Sequence, residues 1–472
     1  MTDDLRGLSP AGDLRDARDL SSPDDLGAKL TELARRHGIT GAVIAFSRGG
    51  TVVEAATGVL NTRTGCPATP DSLFQVGSIA KTWTATLIMQ LVGEGRLSPD
   101  QTVRSVLPGF ALGDEDVAAS VTIRQLLTHT AGFEGDVFID TGRGDDAVEK
   151  LVALLSGTPQ LFPPGAMWSY NNAAYCVLGR IVEVLRDMPY STALRTHLAA
   201  PLGLTHLATG ADEAILYGTA VGHAGGEPVP VWSLMRSNEP AGSSLAMRAR
   251  DLLSFAHMHL RGGLAENGAR VLPEELAVLM REPQIRLPDL CRPSSWGLGW
   301  ELREWEGGIV AAHDGSTPGQ VASLLTVPEA GVAAVLLTNG GDPGPLVTGL
   351  LQPMVEEFAG VRAPAPPVPP AEPLPVDIAR YTGRYLSDVV AWDVTADEAG
   401  SLWLTATPLG VMAEHGGAQR FRLARLRDDT FLFAEPQGGT HTAVAFVGGE
   451  RIGFLHTGRA NPREELPADP MR

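Results

Sequence analysis

Cysteine is scarce: Cys66, Cys176 and Cys291 are the only three in 472 residues, an odd number scattered along the chain. That excludes a disulfide framework and a zinc site built on paired thiols, and predicts small buried thiols in a reducing compartment. Basic residues are also few, 37 Lys and Arg against 55 Asp and Glu, for a formal net charge of −18. Nucleic acid and anionic lipid are bound through clustered cations, so neither is expected as a partner, whereas a small-molecule or peptidyl substrate is. Long apolar runs are missing too. The most apolar run lies inside "TATLIMQLV" and falls far short of the roughly 20 residues that span a bilayer. The N-terminus, "MTDDLRGLSPAGDLRDARDL", has no basic segment followed by an apolar one, so no signal peptide is read and a cytoplasmic protein is expected. No cofactor and no metal is expected.

The chain contains 44% hydrophobic and 19% charged residues, the balance of a globular protein, over a length that favours more than one domain. Proline marks the boundary. "APAPPVPPAEPLP", residues 363–375, can hold neither a helix nor a central strand and reads as a semi-rigid linker. Residues 376–472 beyond it alternate polar and apolar positions between turn signals, which predicts a small antiparallel barrel or sheet. Residues 1–24 read as an acidic extension and 25–362 as the main domain. In that domain "TGAVIAFSRGGTVVEAATGVL" reads as a hairpin on a Gly-Gly turn, the middle is mostly helical, and four strands recur from Trp296 to Gly340. Strands early, helices in the middle and strands late predict an α/β (α+β) fold: an antiparallel sheet flanked by helices, with a helical subdomain.

The chemistry concentrates in "QVGSIAKTWTATLIMQL", where Ser78 and Lys81 stand three positions apart as a helix begins. That spacing sets both side chains on one face. A serine hydroxyl needs a neighbouring base, and an amine becomes one when burial depresses its pKa. The free backbone N–H groups of a helix start suit a developing oxyanion. A Ser N-cap with a solvent-facing Lys would write the same four letters. Two further stretches weigh against that: Tyr170 and Asn172 in "PPGAMWSYNNAAYCVLGRIVEVL", and His313, Asp314 and Gly315 ending a strand in "AAHDGSTPGQVASLL".

In this order the residues resemble the serine β-lactamase and penicillin-binding-protein superfamily, whose signature is SxxK, then a Ser or Tyr before x-N, then K-T-G. The Tyr170-Asn171-Asn172 form is similar to the class C, DD-peptidase and esterase branch, and "LLTHTAGF", "LFPPGAMWSYNN", "AGSSLAMRARDLLSF" and "HDGSTPG" support it. The resemblance covers residues 25–360 and implies roles. Ser78 is the acylated nucleophile and Lys81 its base or proton relay, with Tyr170 sharing the proton traffic. Asn172 hydrogen-bonds Lys81 and a substrate amide. The backbone N–H groups of Ser78 and Ser316 form the oxyanion hole, and Gly315 is bare because substrate lies against that strand edge. His129, in "LLTHTAG", is implied to be structural, closing a helix into a turn.

His313 stands where β-lactamases and cell-wall peptidases carry lysine, and Asp314 adds a negative charge beside it; both are expected to contact substrate. This weakens the binding of a β-lactam carboxylate and points to the esterase, amidase and acyltransferase members. The expected function is a serine hydrolase or acyltransferase passing an acyl group from Ser78 to water or an amine. A penicillin-binding-protein-type thioesterase or peptide cyclase is the narrower form; a true β-lactamase and a non-catalytic sensor are the alternatives. The C-terminal segment, through "YTGRY" and its strand rhythm, resembles a lipocalin-like domain that shapes the acyl pocket. Trp232 is the expected substrate-binding wall, with Trp296, Trp300 and Trp305 as further candidates.

Overall fold

The computed structural model describes residues 22–410, 413 and 417–464. All but the last three positions of the extension expected at 1–24 lie outside the described residues, as do 465–472. Helix α1 (Pro23–Arg36) opens as its sequence dictates. The Ser22 side chain accepts from Asp25 N–H, Pro23 takes the first position and Asp24 and Asp25 meet the positive helix end. Strands β1 (Gly41–Arg48) and β2 (Thr51–Asn61) follow, joined through Gly49 and Gly50 at φ +56° and +85°. A two-residue turn of this hand needs positive φ at both positions, which only glycine supplies without strain.

Short β3 (Cys66–Pro67), the late strands β4 (Ile285–Arg286), β5 (Ser294–Trp296), β6 (Glu301–Trp305), β7 (Gly308–Thr317), β8 (Gln320–Val327) and β9 (Val332–Thr338) complete one nine-stranded sheet. Its order is β3-β2-β1-β9-β8-β7-β6-β5-β4, with antiparallel pairing throughout. The two ends of the domain meet where β1 pairs with β9, from Ala42 opposite Thr338 to Arg48 opposite Val332. In β1, Val43 and Ala45 face the large core while Ala42, Ile44 and Phe46 face a second core under α1 and the closing helix α5 (Gln352–Ala359). Burial on both faces is why this strand reads as an unbroken apolar run.

Among the helices packed into the large core are α2 (Ala80–Gly93), α3 (Asn172–Arg186) and α4 (Ala249–Leu260). Every α2 residue from Ala80 to Leu91 is buried, Lys81 completely so. A helix apolar all round belongs at the centre of a domain, and Lys81 is the one charged side chain it carries there. Three two-residue strands at Phe74–Gln75, Leu207–Ala208 and Ala246–Met247 form a separate small sheet, too short to leave a pattern in the sequence.

Residues 363–377 contain no regular element. Beyond them, eight strands run in consecutive antiparallel order: β10 (Gly383–Leu386), β11 (Val390–Ala396), β12 (Leu402–Pro408), β13 (Gln419–Arg427), β14 (Thr430–Phe433), β15 (Ala443–Gly448), β16 (Ile452–His456) and β17 (Ala460–Pro462). A bridge between Tyr385 and Arg463 nearly closes the ring. The interior is filled by Tyr385, Leu404, Phe431, Phe446, Ile452 and Leu455 among others, so it is a packed core. Among the described residues no helix is long and apolar enough to cross a membrane. The three cysteines are free, but only Cys176 is buried: Cys66 is exposed on edge strand β3 and Cys291 is half-buried, which corrects the expectation of three buried thiols.

Candidate active site

Ser78 does not sit on α2 itself. Gly77–Ile79 form a single 3₁₀ turn that leads into it. From the first turn of α2, Lys81 Nζ reaches back to donate to Ser78 Oγ at 3.2 Å and to the Ala241 carbonyl at 2.6 Å. Burial holds the Lys81 ammonium down to about 7; the charge of Arg459 adds to this, while Cys176 and Asp136 oppose it. Cys176 faces the same space, and burial pushes its thiol up to about 12, so it stays protonated.

Tyr170 stands on the loop before α3. Its ring lies 4.8 Å from Lys81 Nζ, and its phenol is raised by burial, with the Ser78 hydroxyl beside it acting the other way. The neighbouring Asn171 caps α3, its side chain accepting from Ala174 N–H at 2.7 Å, which places Asn172 as the first helical residue. Ser78, Lys81 and Tyr170 thus converge, with Asn172 two residues beyond Tyr170 at the helix start, but one expected contact is replaced. Asn172 Nδ2 donates to Asp136 Oδ1 at 2.7 Å, while Lys81 takes the Ala241 carbonyl where a bond to Asn172 was expected.

Strand β7 runs past β6 at Ala312, so His313 to Thr317 present a free edge on that side. His313 packs against Tyr170 and Trp296, with ring centroids 6.4 and 5.5 Å away, and donates from Nδ1 to the Asp314 carbonyl at 2.7 Å. Burial, then the Lys81 charge, lowers its imidazole to about 4, so it is neutral at physiological pH. Asp314 points to the opposite face, where Arg303 pairs with it and with Glu301. Its negative charge is therefore taken up away from His313, and the expected substrate contact is corrected. Gly315 has a nearer reason to be bare than substrate: a Cβ there would lie 2.0 Å from Val76 O and 2.9 Å from Ser78 N. Gly77, at φ +52°, is bare for the reciprocal reason, its Cβ falling 2.5 Å from Ser316 N. The segments carrying the Ser78 and Ser316 amides are thus packed backbone on backbone.

The tryptophans divide. Trp296 belongs to the aromatic group around Tyr170. Trp300 is fully buried beside Phe255, Trp305 packs into the second core, and Trp232 lies against the small cluster of Leu73, Ala208, Ala214 and Ala246, its indole donating to Ala220 O at 2.9 Å. That commits the Trp232 indole nitrogen to the scaffold.

Four groups in the site were unread or set aside in the sequence. His129 lies against Tyr170, ring centroids 4.4 Å apart, and accepts from Asn171 N–H at Nδ1 (3.0 Å); burial keeps it well below the usual imidazole range, hence neutral. It closes the turn as expected, at φ +57°, and also floors the site. Trp168 packs on Trp296 and His456. Asp136, buried, is paired with Arg459, whose guanidinium lies 5.2 Å from the Tyr170 ring. Arg459 belongs to the barrel, on the turn between β16 and β17. Asp136 follows "LLTHTAGF" by three residues, the only local cue to it; Arg459 had none.

The profile of the family described as Beta-lactamase matches residues 26–353. "Penicillin-binding protein 4" of Amycolatopsis lactamdurans is 44% identical over 365 residues, covering 76% of this chain and 96% of that protein. "Esterase EstB" of Burkholderia gladioli is 29% identical over 331 residues, 62% of this chain and 82% of its own length. Among solved structures, that of SurE with D-Leu superposes with a TM-score of 0.73 at 31% identity, covering 94% of this chain, barrel included, and 99% of SurE.

Proposed function

The chain belongs to the β-lactamase family, a superfamily of serine hydrolases, and on that basis we propose that it cleaves an ester, thioester or amide through an acyl-Ser78 intermediate and passes the acyl group to water or an amine. The observation that carries the reading is a completely buried amine, lowered to about 7, in contact with a serine hydroxyl. Neutral Lys81 takes the Ser78 proton as Oγ bonds to the acyl carbon. The oxyanion so formed faces the Ser78 and Ser316 N–H groups. Tyr170, kept protonated, hands its proton to the leaving group as the carbon–heteroatom bond breaks and regains one from Lys81. Deacylation repeats the sequence with the acceptor in place of serine. Asn172, held by Asp136, is placed to meet the acyl chain.

The charge balance favours an uncharged acyl group. His313 is neutral, Asp314 is paired on the other face of its strand, and Arg459 is matched by Asp136. The β-lactamase alternative lacks a free cation on β7 for the drug's carboxylate.

The acid limb of kcat/KM on a neutral ester tests the base. Protonating Lys81 removes the acceptor for the Ser78 proton, so the rate should fall tenfold per unit below about pH 7 and stay level from there to about pH 9. A limb near pH 4 to 5 would assign the base to a carboxylate instead.

The likeness to SurE, solved with D-Leu, favours an amine acceptor of D-amino-acid type. Intact-mass analysis with short-chain, aryl and D-peptidyl esters, with and without D-leucine, is expected to reveal an acyl-enzyme that D-leucine converts to the N-acyl product. Release of free acid alone would reject acyl transfer and retain hydrolysis.

A further inference from the structure

Among the described residues the barrel reaches the site through the turn Thr457 to Arg459, and three hydrogen bonds from that turn and its flanking residues His456 and Ala460 bind it to the segment carrying Tyr170. Tyr170 N–H donates to the Gly458 carbonyl at 3.2 Å, Ala460 N–H donates to Ser169 Oγ at 3.1 Å, and His456 Nε2 donates to the Trp168 carbonyl at 2.9 Å. Gly458 N–H donates to His456 Nδ1 at 3.2 Å, which fixes that tautomer. Arg459 then extends over Tyr170 to Asp136. Its Nη2 donates to Oδ1 at 3.1 Å, and Nε meets Oδ2 in ion-pair contact, so the guanidinium fork faces both carboxylate oxygens. The same Oδ1 accepts from Asn172 Nδ2 at 2.7 Å.

We propose that Arg459 is a positioning residue: through Asp136 it fixes the Asn172 carboxamide, and through its own turn it fixes Tyr170, so that the barrel completes the catalytic site of the preceding domain. This rests on the hydrolase reading above. The physical reason is the cost of an unmatched carboxylate. Asp136 is almost fully buried, and its partners among the described residues are Arg459 and the Asn172 amide. Remove the guanidinium and the buried carboxylate is left unmatched; it turns toward water and releases Asn172. The effect crosses 323 residues of chain between Asp136 and Arg459, which explains why a barrel with a filled interior sits here: its contribution lies at the rim.

A double-mutant cycle on full-length protein tests this, using the uncharged substrate p-nitrophenyl butyrate. Arg459→Met is expected to lower kcat about thirtyfold with KM changed less than about threefold. Arg459→Lys, which keeps the charge and loses the fork, should recover part of it. Asp136→Asn in the Arg459→Met background removes the unmatched charge, so the double variant should be faster than Arg459→Met alone. A purely structural role would move the melting temperature without that recovery. If Arg459 instead contacts an anionic group of substrate, its removal leaves turnover of this neutral ester intact. Unchanged kcat in Arg459→Met, or losses that simply multiply in the double variant, would overturn the proposal. Fluorophosphonate labelling of Ser78 in the same samples reports separately on the hydrolase reading, which stands if labelling persists while the coupling fails.

Discussion

Replacing Ser78 by alanine is expected to reduce ester turnover by about 10⁴-fold or more, the scale on which removal of a catalytic nucleophile acts. The substitution is clean. Ser78 occupies a half-buried turn, and its hydroxyl accepts from Lys81. Truncation leaves Lys81 bonded to the Ala241 carbonyl and Tyr170 in its aromatic setting, so the protein should melt within a few degrees of wild type. A folded Ser78→Ala protein that keeps even a hundredth of the activity would place the nucleophile elsewhere.

Lys81→Met carries the second largest effect. Methionine matches the apolar stem of lysine without its amine, so the packing of α2 is retained while the base is lost. Turnover should fall at least about a hundredfold, and the acid limb near pH 7 should disappear with it. Stability gives an independent check whose sign is set by the amine. Its pKa drops from 10.5, the ordinary value for a solvated lysine, to about 7 on folding, so between those values the folded chain binds fewer protons than the unfolded one. Wild-type stability therefore rises with pH across that window, and the Met variant lacks that rise. The melting temperature of Lys81→Met minus that of wild type should be greatest below pH 7 and shrink steadily toward pH 10. Because the variant also strands the Ala241 carbonyl, the trend with pH is the readout and the absolute difference is not. A pH-independent difference would mean that Lys81 keeps an ordinary pKa.

Local features were readable from sequence because their physics is local. Gly49-Gly50 dictated a hairpin turn, the Pro-rich stretch a break, and three-residue spacing the meeting of Ser78 with Lys81. The joining of early and late strands in one sheet followed from their order along the chain. Period two also applies to β7 and could have separated His313 from Asp314, yet both were read as facing substrate; the Arg303 partner that turns Asp314 away lies on the neighbouring strand. At Gly315 a close approach was read, but not the 76–78 turn that makes one there, because that turn is distant in sequence. Least readable was the Arg459–Asp136 pair. Neither residue belongs to the SxxK, YxN or HxG pattern, and their meeting depends on the barrel docking along residues 168–170, which no periodicity encodes. Trp232 shows the converse: an aromatic near the site in sequence rhythm is satisfied by the Ala220 carbonyl and a small apolar cluster.

The proposed chemistry stands or falls on whether the Lys81 amine makes the Ser78 hydroxyl nucleophilic. Mass spectrometry of the full-length protein after a fluorophosphonate probe, followed by peptide mapping, at pH 6 and pH 8, reads this without any assumption about substrate. One adduct per chain is expected, located on Ser78 and formed about tenfold faster at pH 8 than at pH 6. An adduct on any other residue, or no adduct on folded protein, would contradict it.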